Sequence, residues 1–170
     1  HFFRQTKGLL HTGQIFDGKF SFFTKSAIET LNKLYWIPDY IVCNDWQTSI
    51  LPIMFNQNYK QQYKNTKIIF MIHQLNDLYK FDSSLYQKFQ IKLENKSKIQ
   101  NNLVNGIKYS DYVYIFNDEN DSAKKYINKN KKFRDELKNK KHEIINYNQS
   151  LEPSDRIKVY NKILKNLKPS

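Results

Sequence analysis

Three polar residues stand immediately beyond short apolar runs, and they are where chemistry would be sought first. Asp45 follows Tyr40-Ile41-Val42-Cys43 after one intervening asparagine, His73 closes Ile68–Ile72, and Asn117 closes Tyr112–Phe116. A fixed carboxylate in such a place accepts hydrogen bonds from hydroxyls, or caps a helix that follows it. An imidazole after a strand is either structural or a hydrogen-bonding group for a ligand. Trp46, Gln47 and Gln74 flank the first two positions. The indole reads most simply as a core aromatic that shapes the turn. Cys43 stands alone, so it supplies neither a disulfide nor the thiolate cluster of a zinc site. Inside an apolar run it reads as a small buried hydrophobe.

Those positions need elements to hold them. Phe20, Phe23, Ala27, Leu31 and Leu34 recur at three- and four-residue spacing and predict a helix over 20–35. Pro38-Asp39 breaks it, and Tyr40–Cys43 then reads as a strand buried on both faces. Trp46, Ile50, Leu51, Met54 and Phe55 restore helical spacing to about Asn58, with Asp45 placed to cap that helix. Residues 67–72 and 112–116 predict a second and a third strand. Residues 83–108 read as two helices, or one helix with an insertion, around a polar middle at Glu94–Gln100. Strands alternating with helices predict an α/β fold, a Rossmann-like parallel sheet with helices on both faces. In such sheets ligands gather at the carboxyl ends of the strands, the edge that Asp45, His73 and Asn117 would share.

Composition narrows the function. The 170 residues suffice for one domain with a real core. The net charge of +12 invites a nucleic-acid reading, but the lysines are spread along the chain, most densely over 124–141, without a recognition motif beside them. They read as a solvated surface, with no nucleic-acid partner. The longest apolar run, Ile68–Ile72, falls far short of the roughly 20 residues that cross a bilayer, so no membrane is expected. Beginning at His1 with no signal-peptide layout, the chain reads as a fragment of a cytoplasmic protein, or a plastid one in a plant-like source. Beyond residue 127 it is polar until Ile157, Tyr160, Ile163, Leu164 and Leu167 mark a terminal helix after Pro153. The pattern leaves open whether that helix packs on the domain or forms a tail.

The stretch Pro38-Asp39-Tyr40-Ile41-Val42-Cys43-Asn44-Asp45-Trp46-Gln47-Thr48-Ser49-Ile50-Leu51-Pro52 resembles a motif of bacterial glycogen synthases and plant starch synthases. Three further segments resemble the same family in the same order: Phe20–Ala27, Lys67–Leu75 and Asn102–Phe116, with weaker support from Phe2-Phe3-Arg4 and Gly8-Leu9. Four spaced motifs agree far less readily by chance than one. The resemblance covers residues 1–127 as an N-terminal synthase-like domain, incomplete at its start, and leaves 128–170 as a divergent polar end.

What this resemblance implies is the N-terminal half of a two-domain glycosyltransferase of the GT-B type. Such an enzyme adds glucose from ADP-glucose or UDP-glucose to an α-1,4-glucan with retention of configuration, without a metal or other cofactor. Carried over by position, Asp45 and His73 are the catalytic residues, the imidazole hydrogen-bonding the donor glucose, and Gln74, Trp46 and Gln47 line the substrate site. The family's glycine-rich loop would precede His1 and its second-domain basic residues would follow Ser170, so the segment alone is expected to be inactive. Some positions depart from the family. Gln74 stands where asparagine is usual, Asn76-Asp77-Leu78 and Leu10-His11 replace other residues, and Asn117–Asp121 forms an acidic loop in place of a neutral one. These departures motivate the alternative of a non-catalytic glucan-binding or partner module.

Overall fold

The computed structural model describes residues 13–75, 80–94, 96–146 and 153–167. The expectations for Phe2–Arg4, Gly8–His11 and Asn76–Leu78 lie outside those residues. Four parallel strands, β1 (Tyr40–Asn44), β2 (Lys67–Ile72), β5 (Tyr112–Asn117) and β6 (Lys141–Asn146), form one sheet in the order β1-β2-β5-β6. A small antiparallel pair, β3 (Lys80–Asp82) and β4 (Ile99–Asn101), stands apart from it. The helices are α1 (Gly13–Lys33), α2 (Leu51–Asn58), α3 (Ser83–Lys88), α4 (Asn102–Lys108), α5 (Ser122–Lys129), α6 (Lys131–Lys138) and α7 (Pro153–Asn166).

Strand periodicity divides the apolar residues between two faces. Cys43, Ile68, Phe70, Ile72, Val113 and Ile115 join the larger core, with side chains from α1, α2, α4, α5 and α6. Ile69, Met71, Tyr114 and Phe116 face the other way and are covered by Ile163 of α7 and by Leu167 just past its end. The sheet therefore carries helices on both faces, as expected, and the terminal helix packs on the domain. Cys43 is fully buried, and burial raises its thiol pKa well above the ordinary range.

Three local expectations are corrected. First, α1 begins earlier than residue 20 and buries a different stripe: Ser21, Thr24 and Ile28 are buried, whereas Phe23 and Leu34 are exposed. On this side Phe20 packs edge-on against Trp46, and the buried hydroxyls of Ser21 and Thr24 have no hydrogen-bond partner. Second, residues 46–58 are not one helix. A 3-10 turn over Trp46–Thr48 precedes α2, whose Pro52 sits in the first turn, where a missing N–H costs nothing. Third, the lysine-rich stretch contributes α6 and the edge strand β6, paired with β5 from Tyr112↔Lys141 to Asn117↔Asn146. Its polar, charged composition suits a sheet edge and hides the strand from a hydropathy reading.

Gly106 of α4 sits directly against the ring of Phe70 of β2. A Cβ on Gly106 would lie 2.6 Å from Cε1 of Phe70, a ring that is itself fully buried. Overpacking of this kind costs roughly 1–3 kcal/mol, against a helix-propensity gain near 1 kcal/mol for alanine. Gly106→Ala is therefore expected to lower stability by about 1 kcal/mol, within a span of roughly 0–2, read as a lower urea midpoint at unchanged slope.

Candidate functional site

The carboxyl ends of β1 and β2 are joined by one side chain. Asp45 continues the ladder, its N–H donating to the Met71 carbonyl at 2.8 Å, and then turns away with φ 56° and ψ −174°. That backbone region is nearly reserved for glycine, so holding an aspartate there stores roughly 1–3 kcal/mol of strain. The conformation directs the carboxylate across to β2 rather than onto the following helical turn. The expected helix cap is absent: Asp45 makes no side-chain cap hydrogen bond.

Instead the carboxylate holds His73. Oδ1 accepts the His73 backbone N–H at 2.6 Å and the Gln74 N–H at 3.3 Å, while Oδ2 lies 3.1 Å from the imidazole Nδ1. A carboxylate only accepts, so in neutral His73 the proton belongs on Nδ1, and Nε2 presents a lone pair. The ring is stacked on Phe116 of β5 at 4.2 Å between centroids and 11° between planes, which fixes its second axis. Nε2 lies 3.0 Å from the hydroxyl of Tyr160 on α7. Asp45 and His73 are both about three-quarters buried, with side chains 25% and 28% exposed, so their pairing is shielded from water but still reachable.

The remaining predicted residues divide. Gln74 is exposed beside His73 and linked to Asp45 only through its backbone. Trp46 packs edge-on against Phe20 at 5.2 Å and Phe81 at 6.4 Å, the arrangement of a core aromatic shaping the turn. Gln47 lies half-buried in the 3-10 turn. Asn117 reaches the same sheet edge but is engaged elsewhere, its Nδ2 donating to Asp121 and to Asn146 Oδ1. Phe116 and Tyr160 were not singled out as site residues by sequence. Alternation along β5 places Phe116 on the α7 face, whereas nothing local signals that Tyr160 meets a histidine 87 positions away.

The acidic loop also has an internal role. Asp118 accepts from Asn120 N–H, Ser122 N–H and Ser122 Oγ, and Asp121 accepts from Asn117 and pairs with Lys124, so both serve the start of α5. The Ser122 hydroxyl and amide hold the Asp118 carboxyl below its ordinary 3.8. The Asn117 amide and Lys124 do the same for Asp121. A depressed folded pKa means that the contribution is complete above the unfolded value and is lost as pH falls through the folded one. The Ser122 amide resonance is expected to stay constant down to about pH 4 and to move only below it. Movement centred above that range would contradict these contacts.

Among the described residues no group of three or more His, Cys, Asp and Glu side chains is placed to hold a metal ion. No described helix is long and apolar enough to cross a membrane. A cleft lined by Lys25, Glu29, Asn58, Tyr59 and Gln90 opens elsewhere and contains none of the predicted site residues.

Residues 2–119 match the family described as the starch synthase catalytic domain. The chain belongs to that family. A glycogen synthase of Clostridium kluyveri is 31% identical over 108 residues, covering 56% of this chain and 22% of the relative. One from Clostridium perfringens is 40% identical over 77 residues, covering 44% and 16%. The catalytic domain of starch synthase IV from Arabidopsis thaliana, solved bound to ADP and acarbose, superposes with a TM-score of 0.53 at 21% identity, covering 58% of this chain and 22% of that one. That likeness shows the Rossmann-like fold. The chain thus spans about a fifth of the length of these starch and glycogen synthase relatives. The segment containing α6, β6 and α7 lies beyond the matched residues.

Proposed function

We propose that this chain is the acceptor-side domain of a retaining glucosyltransferase that elongates an α-1,4-glucan from ADP-glucose or UDP-glucose in the cytoplasm. The observation carrying the proposal is the Asp45–His73 pair at the carboxyl ends of β1 and β2, in a chain of the starch synthase catalytic domain family. In this reading the neutral imidazole accepts a hydrogen bond from a glucose hydroxyl through Nε2, and the carboxylate fixes its tautomer and direction. Transfer breaks the bond from the sugar C1 to the diphosphate oxygen and forms one from C1 to an acceptor hydroxyl on the same face. The acceptor's proton leaves with the diphosphate. His73 contributes orientation, which matters because misplacement of about 1 Å costs roughly a hundredfold in rate. The basic groups that would balance the diphosphate charge are assigned to the parts of the longer relatives that this segment does not span, so the segment alone is proposed to bind without turnover.

A second reading, a non-catalytic glucan-binding or partner module, is favoured by one observation: Nε2 of His73 already faces the Tyr160 hydroxyl. The two readings separate when the product of the complete coding sequence is assayed for glucose transfer to glycogen from each donor. Transfer that disappears in His73→Ala supports the enzyme. A folded product that binds maltoheptaose without transfer supports the module.

A further inference from the structure

We infer that α7 is a latch whose Tyr160 hydroxyl occupies the place of a sugar hydroxyl on His73, so that ligands must displace it to reach the imidazole. The inference rests on the proposed function for the identity of the ligand, but not for the existence of the cover. Its basis is geometric. Asp45 commits Nδ1 and Phe116 covers one face of the ring, so Nε2 is the hydrogen-bonding position left to a ligand. Tyr160 takes that position at 3.0 Å and leans on the same Phe116 ring at 6.0 Å. A phenol supplies what a sugar hydroxyl would supply: an O–H donor, and an adjoining carbon surface that stacks on an aromatic.

The way α7 is attached fits a cover that can lift. It is held to Ile69, Met71, Tyr114 and Phe116 by buried Ile163, with half-buried Val159 and Tyr160 beside it and buried Leu167 just past its end. Tyr40 donates its hydroxyl to the Leu167 carbonyl, and Lys162 lies 3.6 Å from Glu143 on the edge strand. Ile157 and Leu164 on the same helix remain exposed. By contrast, α1, α2, α4, α5 and α6 share the continuous core on the opposite face of the sheet. A site open for only a fraction of the time weakens its ligand by that fraction; one open a tenth of the time loses tenfold in affinity.

Access to the histidine can be read without any sugar. Diethyl pyrocarbonate modification, followed peptide by peptide, compares His73 with exposed His142 in the same molecule. The expected order of His73 rates is wild type below Tyr160→Phe below Tyr160→Ala, with at least a fivefold gain for the alanine variant while His142 stays constant. Titration with maltoheptaose and with ADP-glucose then gives binding about tenfold tighter for Tyr160→Ala than for wild type. Equal His73 rates in all three proteins, or wild-type His73 reacting as fast as His142, overturn the latch whatever the sugars do. If His73 is uncovered by the substitutions but neither sugar binds any variant, the cover stands and the glucan reading falls. Should both sugars bind wild type and Tyr160→Ala alike, the latch falls and the glucan reading survives.

Discussion

Asp45→Ala is expected to lower glucose transfer in the complete protein by a factor of about a hundred or more, and to remove about 2–3 kcal/mol of stability. Both effects come from one carboxylate. It accepts the His73 N–H at 2.6 Å and holds Nδ1 at 3.1 Å, and without it a half-buried amide and the imidazole lose a charged partner together. The activity loss follows from rotation and tautomer exchange of His73, not from loss of the ring. Asp45→Asn separates the two roles. Its amide oxygen still accepts the backbone N–H, but its NH2 donates toward Nδ1 and moves the imidazole proton to Nε2, converting an acceptor into a donor. That variant should keep most of the stability and still lose most of the transfer, with the altered tautomer visible in imidazole 15N shifts. Asp45→Gly offers a third contrast: it lacks the carboxylate but adopts φ 56° without the Cβ penalty, so it should be about 1 kcal/mol more stable than Asp45→Ala. If Asp45→Ala kept full transfer in a folded protein, the assignment of this pair to the reaction would be lost.

Phe133→Ala is expected to cost about 3–5 kcal/mol, enough to unfold a domain of ordinary stability at modest urea. The residue lies beyond the stretch that matches the family, in a segment dominated by lysine and asparagine, where hydropathy gives it little weight. Yet its ring is fully buried in the main core, edge-on to Tyr126 at 5.4 Å, and Leu137 one turn later is buried with it. The helix is held at its start by Asn130, whose Oδ1 accepts the Phe133 N–H. Equilibrium unfolding by tryptophan fluorescence would measure the loss through the environment of Trp46. A cost below 1 kcal/mol would mean that α6 is dispensable to the sheet.

What could be read from the sequence follows from how locally each feature is encoded. β2 and β5 are continuous apolar runs with every interior residue buried, and such runs read correctly from five or six residues alone. Asp45 and His73 could be placed on one edge because strand ends gather there, and the family resemblance covers both. The manner of their meeting was not legible: capping is the local default for an aspartate before a helical stripe, and only the positive φ at Asp45 redirects it. β6 was hidden because an edge strand tolerates Lys141, His142 and Glu143. The rotated face of α1 was hidden for the opposite reason, since polar Ser21 and Thr24 are buried while Phe22 and Phe23 stay exposed. We have no physical account of those two exposed rings.

The order β1-β2-β5-β6 is also the order in which the strands occur along the chain. Each new strand is laid on the free edge of the one before it, and no strand must be threaded between two that already pair. During synthesis from the N-terminal end, the sheet can therefore grow by accretion as the chain emerges, with each addition drawing on contacts already formed. The helix bearing Tyr160 comes after all four strands. Within this segment, the β1–β2 pairing that brings Asp45 to His73 is therefore encoded ahead of the helix that brings Tyr160 to the same imidazole.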